Sequence, residues 1–315
     1  MLSIIIPIFN EEDNINILSK NLFQSIKNFN YEVIFINDGS TDDSEKKILN
    51  VIKKYRNYNL VNFKKNYGQT AAIQAGFDVS KGKIIVALDG DLQNDPADIP
   101  KLIKKINSGY DVVSGWRKHR KDSNILRVLP SKMANFLISK ISGITLHDYG
   151  CTLKAYRREV IEGIRLYGEM HRFIPIYAAW EGGKVTEIVV NHFERNAGKS
   201  KYGISRTPKV ILDLIVIKFF DSLISRPIHL FGKLGFYLII LAILISLYAI
   251  WLKFFKDISF ILTPLPLLII FFLLSGLICI LLGIVAEIQS RIYFQTKDNS
   301  NYKIKNMVKN KNMKN

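Results

Sequence analysis

Cysteine is scarce in this 315-residue chain, and its scarcity excludes several kinds of site. The two cysteines, Cys151 and Cys279, lie far apart and match none of the spacings of a metal site or a redox pair. Isolated thiols of this kind are typical of proteins from a reducing compartment. We therefore expect neither cysteine-ligated metal nor disulfide chemistry in this protein.

Acidic residues are also few relative to basic ones. The chain has 27 Asp and Glu against 44 Lys and Arg, so its formal net charge is +17. An excess of this sign favours anionic partners. Nucleic acid is one alternative, but phosphorylated substrates and an anionic lipid surface explain the charge better beside the apolar segments described next. We expect no nucleic-acid partner.

Charge is absent altogether from two long segments near the carboxyl terminus. Residues 234–252 and 258–286 comprise 19 and 29 residues without a charge, and either can cross the roughly 30 Å hydrocarbon core of a bilayer. Pro264 and Pro266 predict where the second helix begins. Because only residues 253–257 separate the two segments, we predict a two-helix transmembrane hairpin over residues 232–290.

The charges that flank this hairpin predict its orientation. The chain after residue 286 carries seven Lys or Arg and two acids, and the region before the hairpin is also basic. Such flanks stay in the cytoplasm, and the first apolar run lacks the basic leader of a secretory signal. We expect a multi-pass membrane protein with both termini in the cytoplasm. Residues 291–315 form a basic tail, and we predict disorder for its last dozen residues.

The amino-terminal half alternates apolar strands with helices. Residues 2–7, 31–37 and 84–88 are apolar runs that predict strands buried on both faces. Each run ends in polar, acid-bearing residues and is followed by a helix. Pro7 is expected to end the first strand, and Ser40 or Thr41 to cap a helix. The alternation predicts a doubly wound, mostly parallel sheet.

The turn Asp89-Gly90-Asp91-Leu92-Gln93 is the most informative of these strand ends. Carboxylates at such a position face the ligand site of α/β proteins, and two so close together repel each other unless a cation lies between them. Hard divalent cations bind carboxylates and phosphates together. The turn therefore predicts a Mg²⁺ or Mn²⁺ site that holds a diphosphate, whereas Asp-x-Asp alone would more simply be a solvated turn.

Two further segments are predicted to meet the membrane surface. Residues 131–142 form an amphipathic helix with Met133, Leu137 and Ile141 on its apolar side, and it either packs on the sheet or lies on the bilayer. Residues 206–231 form a longer apolar helix that we expect to rest partly on the membrane and partly on protein.

Several motifs of this chain, taken in order, resemble those of the polyprenyl-phosphate glycosyltransferases, which include dolichol-phosphate mannosyltransferases and bacterial undecaprenyl-phosphate sugar transferases. The resemblance covers about residues 1–295. Residues 148–158 are similar to the bacterial branch, particularly the 4-deoxy-4-formamido-L-arabinose transferases. The other motifs are PIFNE at 7–11, NDGS at 37–40, NYGQ at 66–69, DGDLQN at 89–94, GWR at 115–117, HFER at 192–195 and GKSKYG at 198–203.

The resemblance implies an α/β GT-A (Rossmann-like) catalytic domain over residues 1–205, and it implies roles for individual residues. Asp89, Asp91, Arg117 and Asp148 form the implied catalytic set. The donor nucleotide would be held by Pro7, Asn10, Glu11, Asp38, Asp89 and Gln93, the metal by Asp91 and Gln93, and the acceptor phosphate by Arg117, Arg195, Ser200 and Lys201. Asp148 has three open interpretations: a base, a group that orients an arginine, or a helix cap.

These features predict inverting transfer of a sugar from a nucleotide sugar, with UDP favoured, to undecaprenyl or another polyprenyl phosphate. The resemblance to the bacterial branch implies the bacterial cytoplasmic membrane. The sequence identifies neither the sugar nor the oligomeric state, and because the family includes tetramers a homo-oligomer is one alternative. A processive polysaccharide synthase is one alternative, but it would normally show a Gln-x-x-Arg-Trp segment and more spans. A catalytically inactive membrane scaffold is the other, and intact Asp89, Asp91, Gln93 and Arg117 argue against it.

Overall fold

The computed structural model describes residues 1–118, 135, 138–139, 142–166, 168–194, 227–295 and 302–309. Most of the predicted interface helix at 131–142, and residues 206–226 of the second predicted interface helix, lie outside these ranges. Of the first helix, Ile138 is described and is buried. The described residues fall into two compact units: 1–194 with 302–309, and 227–295.

Strands and helices alternate along the first unit, as predicted. Its strands are β1 (Leu2–Ile8), β2 (Tyr31–Asn37), β3 (Tyr58–Phe63), β4 (Ile84–Ala87), β5 (Val112–Trp116), β6 (Lys154–Arg157), β7 (Val185–Val189) and β8 (Ile304–Val308). Its helices are α1 (Ile15–Ile26), α2 (Ser44–Lys54), α3 (Gln69–Val79), α4 (Ile99–Asn107), α5 (Arg158–Ile161) and α6 (Ile174–Trp180).

The strands form one eight-stranded sheet in the order β7-β5-β6-β4-β1-β2-β3-β8. The central strands β4, β1, β2 and β3 are parallel, whereas β6 and β8 are antiparallel to their neighbours. The chain lays β2 and β3 on one side of β1 and returns to place β4 on the other. Ligands of open α/β sheets bind at such a reversal, beyond the carboxyl ends of the strands. The predicted mostly parallel, doubly wound sheet is confirmed.

Both faces of the sheet are covered, because successive side chains of a strand point to opposite faces. Ile4 of β1 packs in a core with α1, α2 and α4. Its neighbour Ile5 packs in a second core with α3 and α6. This double burial explains why the central strands are mostly apolar, with only a few buried polar residues such as Ser3 and Glu32, and it fixes their register.

The prediction that Pro7 ends the first strand is wrong by one residue. Pro7 lies within β1 and is in register with Ile36. The pairing of β1 with β4 stops at Ile5, whose carbonyl accepts from Leu88 N. Since residues two apart point the same way, the missing N–H of Pro7 faces a position beyond the end of β4, where the ladder needs no donor.

The predicted helix cap is also wrong. Helix α2 begins at Ser44, and Asp43 occupies its cap position without a side-chain hydrogen bond. Ser40 and Thr41 instead bond Asn10 across the loop after β1. Tertiary contacts of the two loops therefore override the local capping preference of these hydroxyl residues.

Disorder was predicted for the last dozen residues, and this is wrong for Ile304–Val308. These residues form β8, which pairs antiparallel with β3. Ile304 and Val308 pack against the two cores of the sheet. The segment lies in a tail rich in Lys and Asn, but it is ordered because β3 offers it an open edge.

The second unit is a pair of long apolar helices, α7 (Pro227–Lys256) and α8 (Leu265–Gln295). They contain segments, Ile228–Lys256 and Leu265–Gln289, that are long and apolar enough to cross a membrane. Only 11% of the most apolar stretch of each is buried, so they differ from the core helices of a soluble protein. The start of the second helix next to Pro264 and Pro266 is as predicted. Residues 227–231, which we assigned to an interface helix, belong to α7.

The two long helices approach each other closely at Gly235 and Gly276. A Cβ at Gly235 would lie 2.6 Å from the carbonyl oxygen of Gly276, and the reverse distance is 2.8 Å. Small residues at a crossing allow this backbone approach, and they are typical of helix pairs in membranes. The described geometry therefore agrees with the predicted hairpin.

Candidate active site

The predicted site residues that the structure describes lie at one edge of the sheet, which we call the carboxyl edge. It comprises the residues that follow the carboxyl ends of β1, β2, β4 and β5, together with the loop that precedes β6. Strand β6 runs antiparallel to β4 and β5, so its amino end lies at the same edge. This topology gathers residues that are more than 140 positions apart in the sequence.

The loops after β1 and β2 are bonded to each other. The backbone N–H of Asn10 donates to Ser40 Oγ at 3.0 Å, and Thr41 N donates to Asn10 Oδ1 at 2.8 Å. Glu11 N donates to Ser44 Oγ at 3.0 Å. Asn10 has a φ of +55°, a conformation that few residues other than glycine adopt. The predicted donor-binding residues of these two loops therefore form one structural unit.

Asp38 is buried beside this pair of loops. Its two carboxylate oxygens accept from Tyr67 N at 2.6 Å and from Gly68 N at 2.9 Å. Burial raises the pKa of Asp38, although these two bonds act in the opposite direction. Gly39 follows with a φ of +69°, and a Cβ there would lie 2.5 Å from the backbone of Lys65. Asp38 thus fixes the loop before α3, a structural role that the sequence did not reveal.

Asp89 lies just beyond β4 and accepts a hydrogen bond from Gln69 Nε2 at 2.8 Å. Burial and the negative charge of Asp91 raise the pKa of Asp89 to about 7. The two predicted carboxylates are therefore close enough to oppose each other's ionisation. Gln69, at the start of α3, belongs to a motif that we quoted but to which we assigned no role.

Asp91 is only 7% exposed, so it does not lie on a solvated turn. Its Oδ1 accepts from Gln93 N at 3.2 Å. The residue between them, Leu92, has a φ of +60°, and a bulky residue in this conformation is strained. Such strain is common where a loop must hold a functional group in one position.

The oxygen donors of this turn fit a divalent cation. Two mutually repelling carboxylates supply the charge, and carboxylate oxygens are the ligands that Mg²⁺ and Mn²⁺ prefer. Among the described residues, no three His, Cys, Asp or Glu side chains form a group that could hold a metal without help. An ion bound at Asp91 would therefore need further oxygens, and diphosphate and water are suitable sources.

Arg117 and Asp148 form a bidentate ion pair at the same edge. Arg117 Nε donates to Asp148 Oδ2 at 2.7 Å, and Nη2 donates to Oδ1 at 3.0 Å. The side chains are only 13% and 7% exposed. Burial would lower the pKa of Arg117, but the Asp148 carboxylate more than offsets this, so the pKa of Arg117 is raised. Of the three interpretations of Asp148, the geometry favours the group that orients an arginine.

Lys154 is a further charged residue of this site that the sequence analysis missed. It is 2% exposed at the start of β6, and its Nζ donates to the carbonyl of Tyr149 at 2.9 Å. Burial lowers the pKa of Lys154 to about 8. The signal in the sequence was a lysine inside a short strand, within the motif 148–158. The neighbouring Cys151 has its pKa raised to about 11 by burial, which excludes a reactive thiolate.

Two histidines make structural contacts. His171 is buried, and its Nδ1 lies 2.7 Å from Thr70 Oγ1. His147 stacks on Trp116 with ring centroids 4.1 Å apart and pairs with Glu187. These contacts favour structural roles for both rings.

Arg195, Ser200 and Lys201 lie outside the described residues, but the chain that leads to them is anchored beside the Asp91 turn. His192 forms a β-bridge with Asn94, and Phe193 N donates to the carbonyl of Gln93 at 2.9 Å. The segment carrying the predicted acceptor residues therefore starts next to the predicted metal site.

Comparisons with known proteins agree with this geometry. A family profile described as glycosyl transferase family 2 matches residues 3–165. The chain is 42% identical over 313 residues to dodecaprenyl-phosphate galacturonate synthase of Rhizobium johnstonii. This alignment covers 96% of this chain and 91% of that protein. It is 35% identical over 318 residues to undecaprenyl-phosphate 4-deoxy-4-formamido-L-arabinose transferase of Photorhabdus laumondii, covering 97% and 94%.

A solved structure shares the fold. Glucosyl-3-phosphoglycerate synthase from Mycobacterium tuberculosis, in complex with Mn²⁺, UDP and glucosyl-3-phosphoglycerate, aligns with a TM-score of 0.54 and 15% identity. The alignment covers 70% of this chain and 79% of that one. The predicted GT-A fold is thereby confirmed.

Proposed function

The chain belongs to glycosyl transferase family 2, and from that premise we propose that it transfers a sugar from a UDP-linked donor to a polyprenyl phosphate with inversion at the anomeric carbon. One observation carries the proposal. The Asp89–Asp91 pair at the reversal of the sheet lies beside a buried Arg117–Asp148 pair. The carboxylates would suit a divalent cation and Arg117 would suit a phosphate, in a chain whose relatives are named for prenyl-phosphate substrates.

The donor would bind across the ends of β1, β2 and β4. The paired loops that contain Asn10 and Asp38 lie where a nucleoside binds in open α/β sheets. Asp91 and Gln93 would hold Mg²⁺ or Mn²⁺, and the similar glucosyltransferase binds UDP with Mn²⁺. When bound, such an ion neutralises the charge that develops on the departing diphosphate.

The acceptor would meet the donor beside Arg117. A phosphate monoester has a second pKa near 6, so the attacking oxygen is already ionised at neutral pH and needs little help from a base. Asp148 holds the Arg117 guanidinium in a fixed orientation. The guanidinium of Arg117 would then position the attacking phosphate and neutralise its charge. Preorganised charges accelerate reactions in this way.

The proposal includes a topology for the protein in the membrane. Helices α7 and α8 would form a transmembrane hairpin, with the catalytic unit and both termini in the cytoplasm. The pairing of β8 with β3 supports this arrangement, since it requires that residues 302–309 lie on the same side as the catalytic sheet. A cysteine at Asp257, in a background without Cys151 and Cys279, should then react with a membrane-impermeant reagent added outside intact cells. Labelling only after lysis would contradict the arrangement.

The proposal is tested by product analysis. Membranes that contain the protein are incubated with undecaprenyl phosphate, Mg²⁺ and a panel of labelled nucleotide sugars. The panel includes UDP-galacturonic acid and UDP-4-deoxy-4-formamido-L-arabinose, because the relatives are named for these sugars. We expect one donor to give a lipid-phosphate monosaccharide of the expected mass, with the inverted anomer by NMR. Absence of product across the panel, or a polymer of repeated sugars, would contradict it.

A further inference from the structure

The strand that follows the long apolar helices is anchored to the catalytic sheet on both of its faces. Tyr302 stacks on Phe63 with ring centroids 5.2 Å apart, and its hydroxyl donates to Asp78 Oδ2 at 2.7 Å. Lys64 N donates to the carbonyl of Lys303 at 3.2 Å. These contacts order the segment before β8 and bring Asn306 into register with Asn62 of β3.

A continuous row of asparagine side chains starts at Asn306 and runs across the three strands β8, β3 and β2. Asn62 Nδ2 donates to Asn306 Oδ1 at 2.8 Å, and Asn37 Nδ2 donates to Asn62 Oδ1 at 2.9 Å. We call Asn306, Asn62 and Asn37 the asparagine ladder. Glu45 of α2 also accepts from Asn62 Nδ2, at 2.9 Å. Each bond runs from an amide nitrogen to the carbonyl oxygen of the next amide, so the three amides are aligned head to tail.

The ladder ends in the loop after β2, which carries Asp38, one of the residues predicted to bind the nucleotide-sugar donor. Asn37 Oδ1 accepts from the backbone N–H of Ser40 at 3.1 Å. Ser40 Oγ in turn accepts from Asn10 N. Asp38 lies between the two ladder-bonded residues Asn37 and Ser40, so its backbone is fixed from both sides.

We propose that β8 is a functional part of the donor site: Asn306, through Asn62 and Asn37, holds the loop of Asp38 and Ser40 in the conformation that accepts the nucleotide. Asn306 and Asn62 are positioning residues, because they act through the loop and lie away from the reacting atoms. The proposal rests on the proposed function only where it names the nucleotide donor. The ladder itself is independent of the sugar transferred.

The burial of the ladder explains why its loss should reach the loop. Asn37 and Asn62 are 3% and 1% exposed, so water does not readily replace a lost partner. A buried amide without its hydrogen bond is costly, and the surrounding loop is expected to shift so that the amide can form another one. Asn306 lies at the exposed end, where water can substitute in part. Substitution of Asn62 should therefore disturb the loop more than substitution of Asn306, and in the same direction.

Hydrogen exchange of the resting full-length protein in detergent tests the ladder without any ligand. The variants are Asn306→Ala and Asn62→Ala. Lys305→Ala is the matched control, since Lys305 is an exposed neighbour on β8. Tyr302→Phe is a second control, since it removes only the hydroxyl bond to Asp78 and keeps the ring stack on Phe63 that holds β8 in register. We expect faster exchange in the peptide spanning residues 37–44 for both ladder variants and unchanged exchange there for both controls.

Steady-state kinetics with the active nucleotide sugar then test the consequence. For Asn306→Ala and Asn62→Ala we expect the donor KM to rise roughly two- to tenfold, the effect of one lost hydrogen bond. The acceptor KM and kcat should stay within about twofold, since the loop that moves carries donor contacts only. Both controls should retain the wild-type donor KM.

The two measurements separate the possible failures. Unchanged exchange in residues 37–44 of Asn62→Ala, or an equal increase in Lys305→Ala, would overturn the inference whatever the enzyme does. A fall in kcat with an unchanged donor KM would overturn it as well. If the wild type transfers no sugar at all, the proposed function fails, whereas the exchange result still decides the ladder.

Discussion

Two carboxylate sites lie at the same edge of the sheet and differ in what balances their charge. Asp148 is matched within the protein by a bidentate guanidinium, that of Arg117. Asp89 accepts from the neutral amide of Gln69, and Asp91 from a backbone N–H. The charge of Asp91 helps to raise the pKa of Asp89 to about 7, whereas the pair with Asp148 raises the pKa of Arg117.

This difference indicates at which site a further cation would be stabilised more. A buried carboxylate that is already bonded to a cation gains little from another one. A pair of carboxylates that oppose each other's ionisation gains a great deal when a divalent cation arrives. We therefore assign metal and diphosphate to the Asp89–Asp91 site, and orientation of the acceptor-binding arginine to Asp148.

The largest effect is expected from a substitution that disrupts the Asp89–Asp91 site. Asp91→Asn keeps the shape of the side chain and removes its charge, so the protein should fold and transfer should fall at least about a hundredfold, since a catalytic metal supplies several kcal/mol. The measurement is transfer rate with thermal unfolding as the control. Normal turnover by Asp91→Asn, or wild-type activity that survives EDTA, would refute the metal assignment.

The next largest effect is expected from a substitution that disrupts the Arg117–Asp148 pair. Asp148→Ala leaves the Arg117 guanidinium buried without its partner, and loss of one member of a buried pair costs about 3–5 kcal/mol of unfolding free energy. Denaturant unfolding of the purified protein in detergent measures this cost. Arg117→Met with Asp148→Ala should recover much of the stability but none of the activity. If Asp148→Ala is as stable as the wild type, the pair does not fix the arginine.

Lys154 sharpens the comparison because it is a buried cation without the bidentate partner that Arg117 has. Its pKa of about 8 lies below the ordinary lysine value of 10.5, so between these values the unfolded chain binds more protons and stability rises with pH. Lys154→Met should remove this rise and stabilise the protein at pH 7 by about 1–4 kcal/mol. Thermal unfolding from pH 7 to 10.5 checks it, and a flat wild-type profile would contradict the shift.

The smallest effect concerns the basic segment that starts beside Asn94. Lys201→Ala and Arg195→Ala should raise the acceptor KM about ten- to a hundredfold, the cost of a charge-assisted bond of 1.5–3 kcal/mol. Asp38→Ala should instead raise the donor KM. Separate substrate titrations in detergent distinguish them. If Lys201→Ala changes only the donor constant, the basic segment serves the donor.

Much of this fold could be predicted from the sequence, because the central strands carry a strong local signal. β2 begins at Tyr31 and ends at Asn37 as expected, since a strand buried on both faces carries an apolar run such as residues 33–36. β8 could not be predicted in this way. It is a short strand of three apolar and two polar residues without strict alternation. Its pairing partner Asn62 is 244 residues away from Asn306, so only tertiary context orders it.

In the candidate site, too, some residues could be predicted from local sequence and others depend on tertiary contacts. Asp89 and Asp91 follow an apolar strand, so their position was apparent from local pattern. The partner of Asp148 was not, because the loop before β6 meets the end of β5 only in the folded sheet. Lys154 was missed since a single lysine in a four-residue strand gives no periodic signal of burial.

The central claim is that the external cation enters at Asp91 and not at Asp148, and Mn²⁺ binding tests it most directly. Mn²⁺ is titrated into the purified protein with UDP present, and free Mn²⁺ is followed by electron paramagnetic resonance. We expect one ion to bind the wild type, Asp148→Asn to bind it with similar affinity, and Asp91→Asn to bind it at least about tenfold more weakly. Retained binding by Asp91→Asn together with loss of binding by Asp148→Asn would contradict the assignment.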